Sequence, residues 1–265
     1  MARNYLSVNI LPEQQRFIRL LDEYEIDIFS TETINTQTGQ EIENLNKIVS
    51  NLVDKKFLSR IEKGKYCRTN FRDELVIGTF IAKDGAVAYW SALNRHGLTE
   101  QFSNTVFIQT PFLKRDKKIF GTSYKFVKIA AKKRVGLIKE GYGNRSYSIT
   151  DVDKTIVDCF DLTEYSGGYA ELIRALNQAK LSADNLISYC RSVDNISVIK
   201  RIGFLAELLE KSDLISFVEF AKNQVNKKYN LFDPLGSEKG EFISEWKLRM
   251  NISKDEILDI VNKQY

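Results

Sequence analysis

The sequence predicts an α+β protein with an N-terminal winged helix-turn-helix, followed by a mixed α/β domain with a small sheet and several C-terminal helices. Three observations predict this fold. The first seventy residues hold three short amphipathic segments and then a basic hairpin. The stretch 105–150 is rich in β-branched and aromatic residues, and beyond it apolar residues recur at helical spacing. We place the domain boundary near residue 70, which gives the domains 1–70 and 71–265.

The N-terminal helices are expected from their start and stop signals. The first helix is expected to begin at Pro12, because proline is favoured in the first helical turn. A short second helix is expected to begin near Ser30, a capping residue, and to end at Gly39. Apolar positions three and four residues apart then predict a third, amphipathic helix over Ile42, Leu45, Ile48, Val49, Leu52 and Val53.

A basic hairpin is predicted after the third helix. Its strands are residues 58–61 and 65–69, and Gly64 supplies the positive φ that the turn needs. Three helices followed by a hairpin is the element order of a winged helix-turn-helix. Basic side chains on such a wing are placed to contact DNA phosphates, and we expect this of Arg60, Lys63, Lys65 and Arg68.

The third helix is the candidate recognition helix, which would enter the major groove of double-stranded DNA. Its candidate contact residues are Asn44, Lys47, Ser50 and Asn51. Asparagine amides can pair with base edges, and a lysine can hold a phosphate. A protein partner stays open as the alternative, because winged helices also bind proteins. Glu41 and Glu43, at the expected start of this helix, would repel phosphate, so affinity must come partly from elsewhere.

The excess positive charge is confined to one segment. Residues 114–145 hold eleven Lys/Arg and two Asp/Glu, whereas the chain as a whole carries +4. Charge concentrated in this way favours a polyanionic partner. We expect two groups in loops to extend the DNA-binding surface, namely Lys114 with Arg115, and Lys132 with Lys133 and Arg134. The alternatives are RNA binding and a solvated face with no partner.

Four segments carry motifs in a recognisable order. They are AVAYWSALNRHGLTEQ (86–101), VFIQTP (106–111), YSITDVDKTIVDCFDLTEYSGGYAELIRAL (147–176) and IKRIGFLAELLE (199–210). Shorter patterns accompany them at Lys63-Gly64-Lys65-Tyr66, Asp151-x-x-Lys154-Thr155, Gly167-Gly168 and Arg201-Ile202-Gly203. Together they resemble the AbiEi family of antitoxins, and the resemblance extends to about residue 210.

The resemblance implies a fold and a function. Members of that family pair a winged helix-turn-helix with an antitoxin domain, here residues 71–265. They belong to type IV toxin–antitoxin systems of abortive phage infection and repress their own operon by binding promoter inverted repeats. The counterpart is a nucleotidyltransferase toxin, generally neutralised without a stable complex. The alternative function is an interaction protein that neutralises its toxin by direct binding, with DNA binding minor.

Residue chemistry argues against an enzyme, a metal site or a cofactor. His96 is the only histidine, so no Ser-His-Asp set forms without it, and it lies at an expected helix end. Asp151 and Asp153 form a D-x-D pair, but no Gly-Ser turn precedes them, so Asp151 is expected to cap a helix. The glycine-rich run at 141–146 is no phosphate-binding loop, because no Gly-Lys-Ser/Thr follows it.

Composition also predicts where the protein acts. No apolar run reaches about 18 residues and the first fifteen residues lack a signal-peptide core, so we expect a cytoplasmic protein without membrane contact. Cys67, Cys159 and Cys190 lie far apart, and we expect three buried, reduced thiols.

Overall fold

The N-terminal region has the winged helix-turn-helix arrangement that the sequence predicts. The computed structural model describes residues 9–263; the expectation of no secretory signal rests partly on residues 1–8, which lie outside the described residues. The elements follow in the order α1 (Pro12–Glu23), β1 (Ile28–Ser30), α2 (Ile34–Thr38), α3 (Leu45–Asp54), β2 (Leu58–Glu62) and β3 (Lys65–Arg68). β3 lies between β1 and β2 and is antiparallel to both. The hairpin β2–β3 is the wing.

The second helix begins later than expected. Residues 28–30 form β1, and α2 begins at Ile34. The Ser30 hydroxyl accepts a hydrogen bond from Thr33 N–H at 3.2 Å, so Ser30 orders the turn before the helix instead of capping it. A three-residue strand is too short to show a recognisable alternation in the sequence. Its stability comes from its pairing with β3. Gly39 ends α2 as expected, at φ +67°.

The third helix also begins later than expected. α3 starts at Leu45, and Asn44 precedes it in the left-handed region at φ +54°. Glu41 and Glu43 therefore lie in the connecting turn, before the helix. The expectation that they open the recognition helix is corrected. The apolar repeat includes Ile42, which lies three residues before the first helical residue, Leu45.

The middle region is built on a six-stranded mixed sheet. Its strand order is β6-β7-β5-β4-β9-β8, with β5 parallel to β7 and β4 parallel to β9. Its two helices, α4 (Glu74–Ile81) and α5 (Tyr89–Arg95), lie on either side of the first strand along the chain. The strands are β4 (Ala86–Val87), β5 (Thr105–Thr110), β6 (Lys117–Ile119), β7 (Thr122–Lys128), β8 (Leu137–Glu140) and β9 (Tyr147–Thr150).

The C-terminal region is mainly helical, as its periodicity predicts. Its helices are α6 (Val152–Asp161), α7 (Tyr169–Gln178), α8 (Ala183–Val193), α9 (Ile196–Leu208), α10 (Ile215–Gln224) and α11 (Lys254–Asn262). A small sheet of β10 (Asn230–Leu231), β12 (Leu248–Met250) and β11 (Glu241–Ile243), in that order, covers α9. Trp246 is buried there, and a Cβ on Gly203 would lie 2.6 Å from its ring. Glycine at this position therefore lets the small sheet approach α9.

The wing and the middle sheet share a hydrophobic core. Ile28, Ile61 and Cys67, from the three strands of the winged region, pack in one cluster with Val76 of α4 and Ile149 of β9. The wing sheet therefore has one face against the second domain. The expected boundary near residue 70 separates two segments that fold against each other.

Two further observations concern the cysteines and the length of the helices. Cys67, Cys159 and Cys190 are buried and unpaired, as expected. None of the helices within residues 9–263 is long and apolar enough to cross a membrane. The α+β class predicted from the sequence is confirmed.

Candidate nucleic-acid interface

One side of α3 is polar and faces solvent. Its buried side packs against α1 and β2 through Ile48, Val49 and Leu52. The candidate contact residues lie on the other side, where Asn44, Lys47 and Ser50 are exposed and Asn51 is half-buried. The structure therefore brings the four residues predicted for this helix to one surface. Lys47 has no ion-pair partner among residues 9–263.

A polar groove of about 470 Å³ lies between α1 and the turn before α3. Its charged lining residues are Glu13, Arg16, Arg19, Glu23, Glu41 and Glu43. Four carboxylates and two guanidinium groups leave this groove net negative at neutral pH. Phosphate attraction must therefore come from elsewhere on the molecule.

The wing exposes two of its four basic residues. Arg60 lies on β2 and Lys63 in the turn, and both side chains reach solvent without an ion-pair partner in the described part of the chain. Gly64 completes the turn at φ +74°, as the sequence predicts. These two cations are free to contact phosphate.

The other two basic residues of the wing are used inside the protein. The Lys65 ammonium donates to the carbonyls of Phe80 at 3.3 Å and Ile81 at 3.1 Å, at the end of α4. The Arg68 guanidinium binds the Asp22 carboxylate and the Ile18 carbonyl of α1. The donors of Lys65 and Arg68 therefore have acceptors inside the protein, whereas the sequence predicts phosphate contacts for both.

A lysine cluster joins the wing to the basic segment of the second domain. Glu62, at the end of β2, lies 3.1 Å from the ammonium groups of three lysines. These are Lys65, Lys114 and Lys117, and with Glu62 they form what we call the lysine cluster. Burial raises the pKa of the Glu62 carboxyl, but the lysine hydrogen bonds outweigh burial and hold this pKa below its usual value. One carboxylate against three cations leaves the cluster net positive.

Lys114 therefore has a structural role that the sequence did not predict. Its ammonium pairs with Glu62 and lies 5.3 Å from the centroid of the Phe126 ring. The expectation that Lys114 projects freely beside Arg115 is corrected. Arg115 itself is exposed and has no ion-pair partner within residues 9–263.

Lys83 is a further exposed cation that sequence analysis missed. It follows the end of α4, which the Lys65 ammonium contacts, and its own ammonium lies 4.4 Å from the Phe112 ring centroid. Along the chain, Lys63 follows Glu62, Arg115 follows Lys114, and Lys83 follows the end of α4. We call these three exposed cations the basic rim. Lys83 carries no sequence signal because it lies outside the charged run.

The second predicted group, at residues 132–134, is largely neutralised. Lys132 pairs with Asp194 at 2.9 Å and Lys133 with Asp161 at 2.5 Å. The Arg134 Nε donates to the Asp84 carbonyl at 3.2 Å. The expectation that these three residues form one exposed basic group is corrected, because two of them face carboxylates of the helical region.

A loop of β8–β9 fastens the winged region to the second domain. Asn144 Oδ1 accepts hydrogen bonds from the N–H groups of Asp27 and Ile28, both at 2.9 Å. Arg145 pairs with the Asp27 carboxylate at 2.6 Å. Gly141 permits the tight loop, since a Cβ there would lie 2.4 Å from the Arg145 carbonyl oxygen. The glycine-rich run at 141–146 is thus an interdomain contact, which its spacing alone could not indicate.

The D-x-D pair has structural partners. Asp151 Oδ1 accepts the backbone N–H of Lys154 at 2.7 Å, which confirms the predicted cap of α6. Asp153 accepts from Ser182 N–H at 2.7 Å and from the Asn185 amide at 2.9 Å. The described part of the chain holds no group of three His, Cys, Asp or Glu residues placed to bind a metal ion.

Two further motif residues have contacts inside the protein, and that of His96 agrees with its expected place at a helix end. His96 lies at the C-terminal end of α5, where Nε2 donates to the Thr150 carbonyl at 2.7 Å. The Lys154 ammonium is buried and pairs with the Asp158 carboxylate. The His96 contact joins the end of α5 to β9 of the middle sheet, whereas the Lys154–Asp158 pair lies within α6.

Comparison with known proteins bears on the fold. No family model matches the chain, and no curated protein matches it. The crystal structure of the RV2827C protein from Mycobacterium tuberculosis is similar, with a TM-score of 0.66 and 15% sequence identity. The match covers 96% of this chain and 96% of that one. The chain therefore shares its whole-chain fold with a solved protein.

Proposed function

We propose that the chain binds double-stranded DNA through one face that combines the exposed side of α3, the wing turn and the basic rim. In this proposal it is the antitoxin of a type IV toxin–antitoxin system, counteracts a nucleotidyltransferase toxin and represses its own operon at promoter inverted repeats. The lysine cluster is the observation that carries the DNA-binding proposal. It attaches the wing to the basic segment of the second domain.

The lysine cluster supports a single binding face because of the residues beside it. Lys63 follows Glu62 directly, and Arg115 follows Lys114. Both neighbours are exposed and have no ion-pair partner in residues 9–263. Positive charge therefore continues from the wing turn onto the second domain. Contacts with DNA phosphates at such a surface hold the protein in place on the duplex, but they do not read the base sequence.

Sequence recognition is assigned to α3. The exposed Asn44, directly before α3, and the half-buried Asn51 of α3 have amide groups suited to adenine edges in the major groove. The net negative groove beside α3 disfavours phosphate there. In this proposal α3 supplies specificity, and the wing turn and the basic rim supply most of the electrostatic affinity.

The antitoxin assignment is supported by the sequence resemblance. Residues of the motifs that carry this resemblance stabilise the fold: Asp151 caps α6, and Gly203 leaves room for the Trp246 ring. They describe the architecture of the second domain, and the activity against a toxin is taken from the family. The alternative is direct binding of the toxin, with DNA binding minor.

Binding to the chain's own promoter tests the proposal. The purified protein is expected to bind a duplex of its upstream region more tightly than a scrambled duplex of equal length. Asn51→Ala is expected to lower only the specific affinity, by roughly 1–3 kcal/mol. Equal affinity for both duplexes would contradict sequence-specific binding. Co-expression with the proposed nucleotidyltransferase toxin tests protection, and a stable purified complex with that toxin would favour the alternative.

A further inference from the structure

The small C-terminal sheet has an outer face with a distinct chemistry. Residues alternate along β12, so that Leu248 and Met250 are buried while Arg249 lies on the other side. Lys247, in the turn before β12, reaches the same side through its contact with the Tyr229 ring. Arg249 is paired in register with Phe242 of β11. Cross-strand partners share a face, so the outer face combines cations with an aromatic ring.

Two aromatic rings on this face are open to solvent. Tyr229 and Phe242 pack edge to face, with centroids 5.0 Å apart. Phe242 is 59% exposed and Tyr229 is 38% exposed. The Lys247 ammonium lies 5.2 Å from the Tyr229 centroid, and the Arg249 guanidinium carbon lies 5.3 Å from the Phe242 centroid. Exposed rings held by cations form a platform on which another flat ring can stack.

A lysine ammonium group beside this platform, that of Lys200, has no carboxylate partner within residues 9–263. The buried Lys200 ammonium is bound by three neutral oxygens, those of the Asn226 and Asn230 side chains and the Lys228 carbonyl. Burial lowers the pKa of Lys200, and three nearby cations lower it further. Those cations are Lys228, Arg201 and Lys247.

The outward cations are also unpaired. Lys228, Lys247 and Arg249 form no ion pair within residues 9–263. The Arg249 Nε is buried without a hydrogen-bond partner in that part of the chain. This face therefore offers cations to an anionic ligand as well as rings to a planar one.

We propose that the outer face of the small sheet binds single-stranded nucleic acid. Bases stack on Phe242 and Tyr229, and the backbone phosphates contact the outward cations Lys228, Lys247 and Arg249. Single-stranded nucleic acid has flat unpaired bases, which can stack on the rings, and negative phosphates, which the cations attract. Base stacking on aromatic rings tolerates any base sequence. The site is separate from the wing and from the basic rim, and it does not depend on the proposed promoter binding.

Fluorescence anisotropy with labelled oligonucleotides of about twelve nucleotides tests the site, since that length spans a typical single-strand site. Oligouridylate and oligothymidylate form the two arms, which distinguish RNA from single-stranded DNA. The full chain carries Lys63→Ala, Lys83→Ala and Arg115→Ala throughout, so that the basic rim does not contribute. This protein is expected to bind at least one of the oligonucleotides.

Changes at Phe242 separate stacking from simple apolar contact. Phe242→Ala and Phe242→Leu are both expected to weaken binding about tenfold or more, whereas Phe242→Trp retains it. Phe102→Ala removes a ring that is 89% exposed elsewhere and is expected to change nothing. Thermal unfolding of each variant checks that the fold is retained. Promoter duplex affinity, measured for Phe242→Ala without the rim changes, is expected to stay at the wild-type value.

Two outcomes overturn the proposal. Either the rim-substituted protein binds neither oligonucleotide, or Phe242→Leu binds as tightly as Phe242. The second outcome would mean that the ring is an apolar contact, as for a protein partner. A failure of promoter binding would leave these oligonucleotide results unaffected, so the two proposals fail separately.

Discussion

The side-chain amide of Asn144 hydrogen-bonds both backbone groups of Ile28: Oδ1 accepts from the N–H at 2.9 Å, and Nδ2 donates to the carbonyl at 2.8 Å. Ile28 lies on β1, an edge strand of the wing sheet. One side chain of the second domain thus supplies the pairing that a further strand would supply. The orientation of the wing relative to the second domain is fixed by this contact together with the lysine cluster.

Asn144→Ala is expected to lower the free energy of unfolding by about 2 kcal/mol, because backbone groups of β1 lose their partners. Arg145→Ala, in the same loop, is the matched control. Its ion pair with Asp27 is exposed, so the expected loss is smaller. Urea unfolding at neutral pH measures both. A loss for Asn144→Ala no larger than that for Arg145→Ala would contradict the role assigned to the amide.

Glu62→Gln is expected to destabilise the protein by about 1–3 kcal/mol, since it leaves three neighbouring lysines without their carboxylate. Urea unfolding at low salt measures the effect. Added salt is expected to reduce the difference from the wild type, because it screens the repulsion among the lysines. Equal stabilities at low salt would show that the lysine cluster contributes nothing to the fold.

The Glu62 carboxyl also predicts a dependence on pH. Its pKa in the folded protein lies below the ordinary value of 4.5, so its contribution is complete above that value. The contribution is lost as the pH falls through the lowered pKa. The stability difference between wild type and Glu62→Gln is therefore expected to shrink as the pH falls below about 4.5. A difference that stays constant on acidification would contradict this assignment.

The fragment 71–265 is expected to be less stable than the full chain. The cut removes Ile28, Ile61 and Cys67, which cover Val76 of α4 in a shared core. The newly exposed apolar surface should bind a hydrophobic dye and lower the melting temperature by several degrees. A fragment that melts with the full chain and binds no dye would show that residues 71–265 fold independently.

Much of the fold follows from local sequence pattern, whereas the shortest strands do not. The β-branched and aromatic run that stops before Pro111 is typical of a strand, and it forms β5. The strands Ile28–Ser30 and Lys117–Ile119 each have three residues and are stabilised by pairing with β3 and β7. Such pairing depends on contacts outside the strand itself, so the local sequence pattern does not predict these two strands.

The candidate site divides in the same way. Helical periodicity suffices to place Lys47 on the exposed side of α3. The sequence pattern of the wing cannot distinguish the exposed Lys63 from the internal Lys65, because the two lysines have the same charge and lie two residues apart. Lys65 is internal because the end of α4 offers it two carbonyl oxygens, and that packing is a tertiary property.

Lys63→Ala and Lys65→Ala are therefore expected to differ. Lys63→Ala should reduce the slope of log K against log salt for promoter binding by about 0.9 and leave stability unchanged. Lys65→Ala should lower the free energy of unfolding by about 1 kcal/mol and change the slope less. Salt titrations and urea unfolding of both proteins provide the comparison. The reverse pattern would mean that the wing contacts are assigned to the wrong lysine.

The central claim is that the wing turn and the second domain form one DNA-contacting face, and the salt dependence of promoter binding tests it most directly. The variant Lys63→Ala/Lys83→Ala/Arg115→Ala is compared with the wild type and with Lys180→Ala, an exposed lysine of the helical region. Loss of three phosphate contacts is expected to reduce the slope by about 2.7, while Lys180→Ala leaves it unchanged. A folded triple variant with the wild-type slope would contradict the claim.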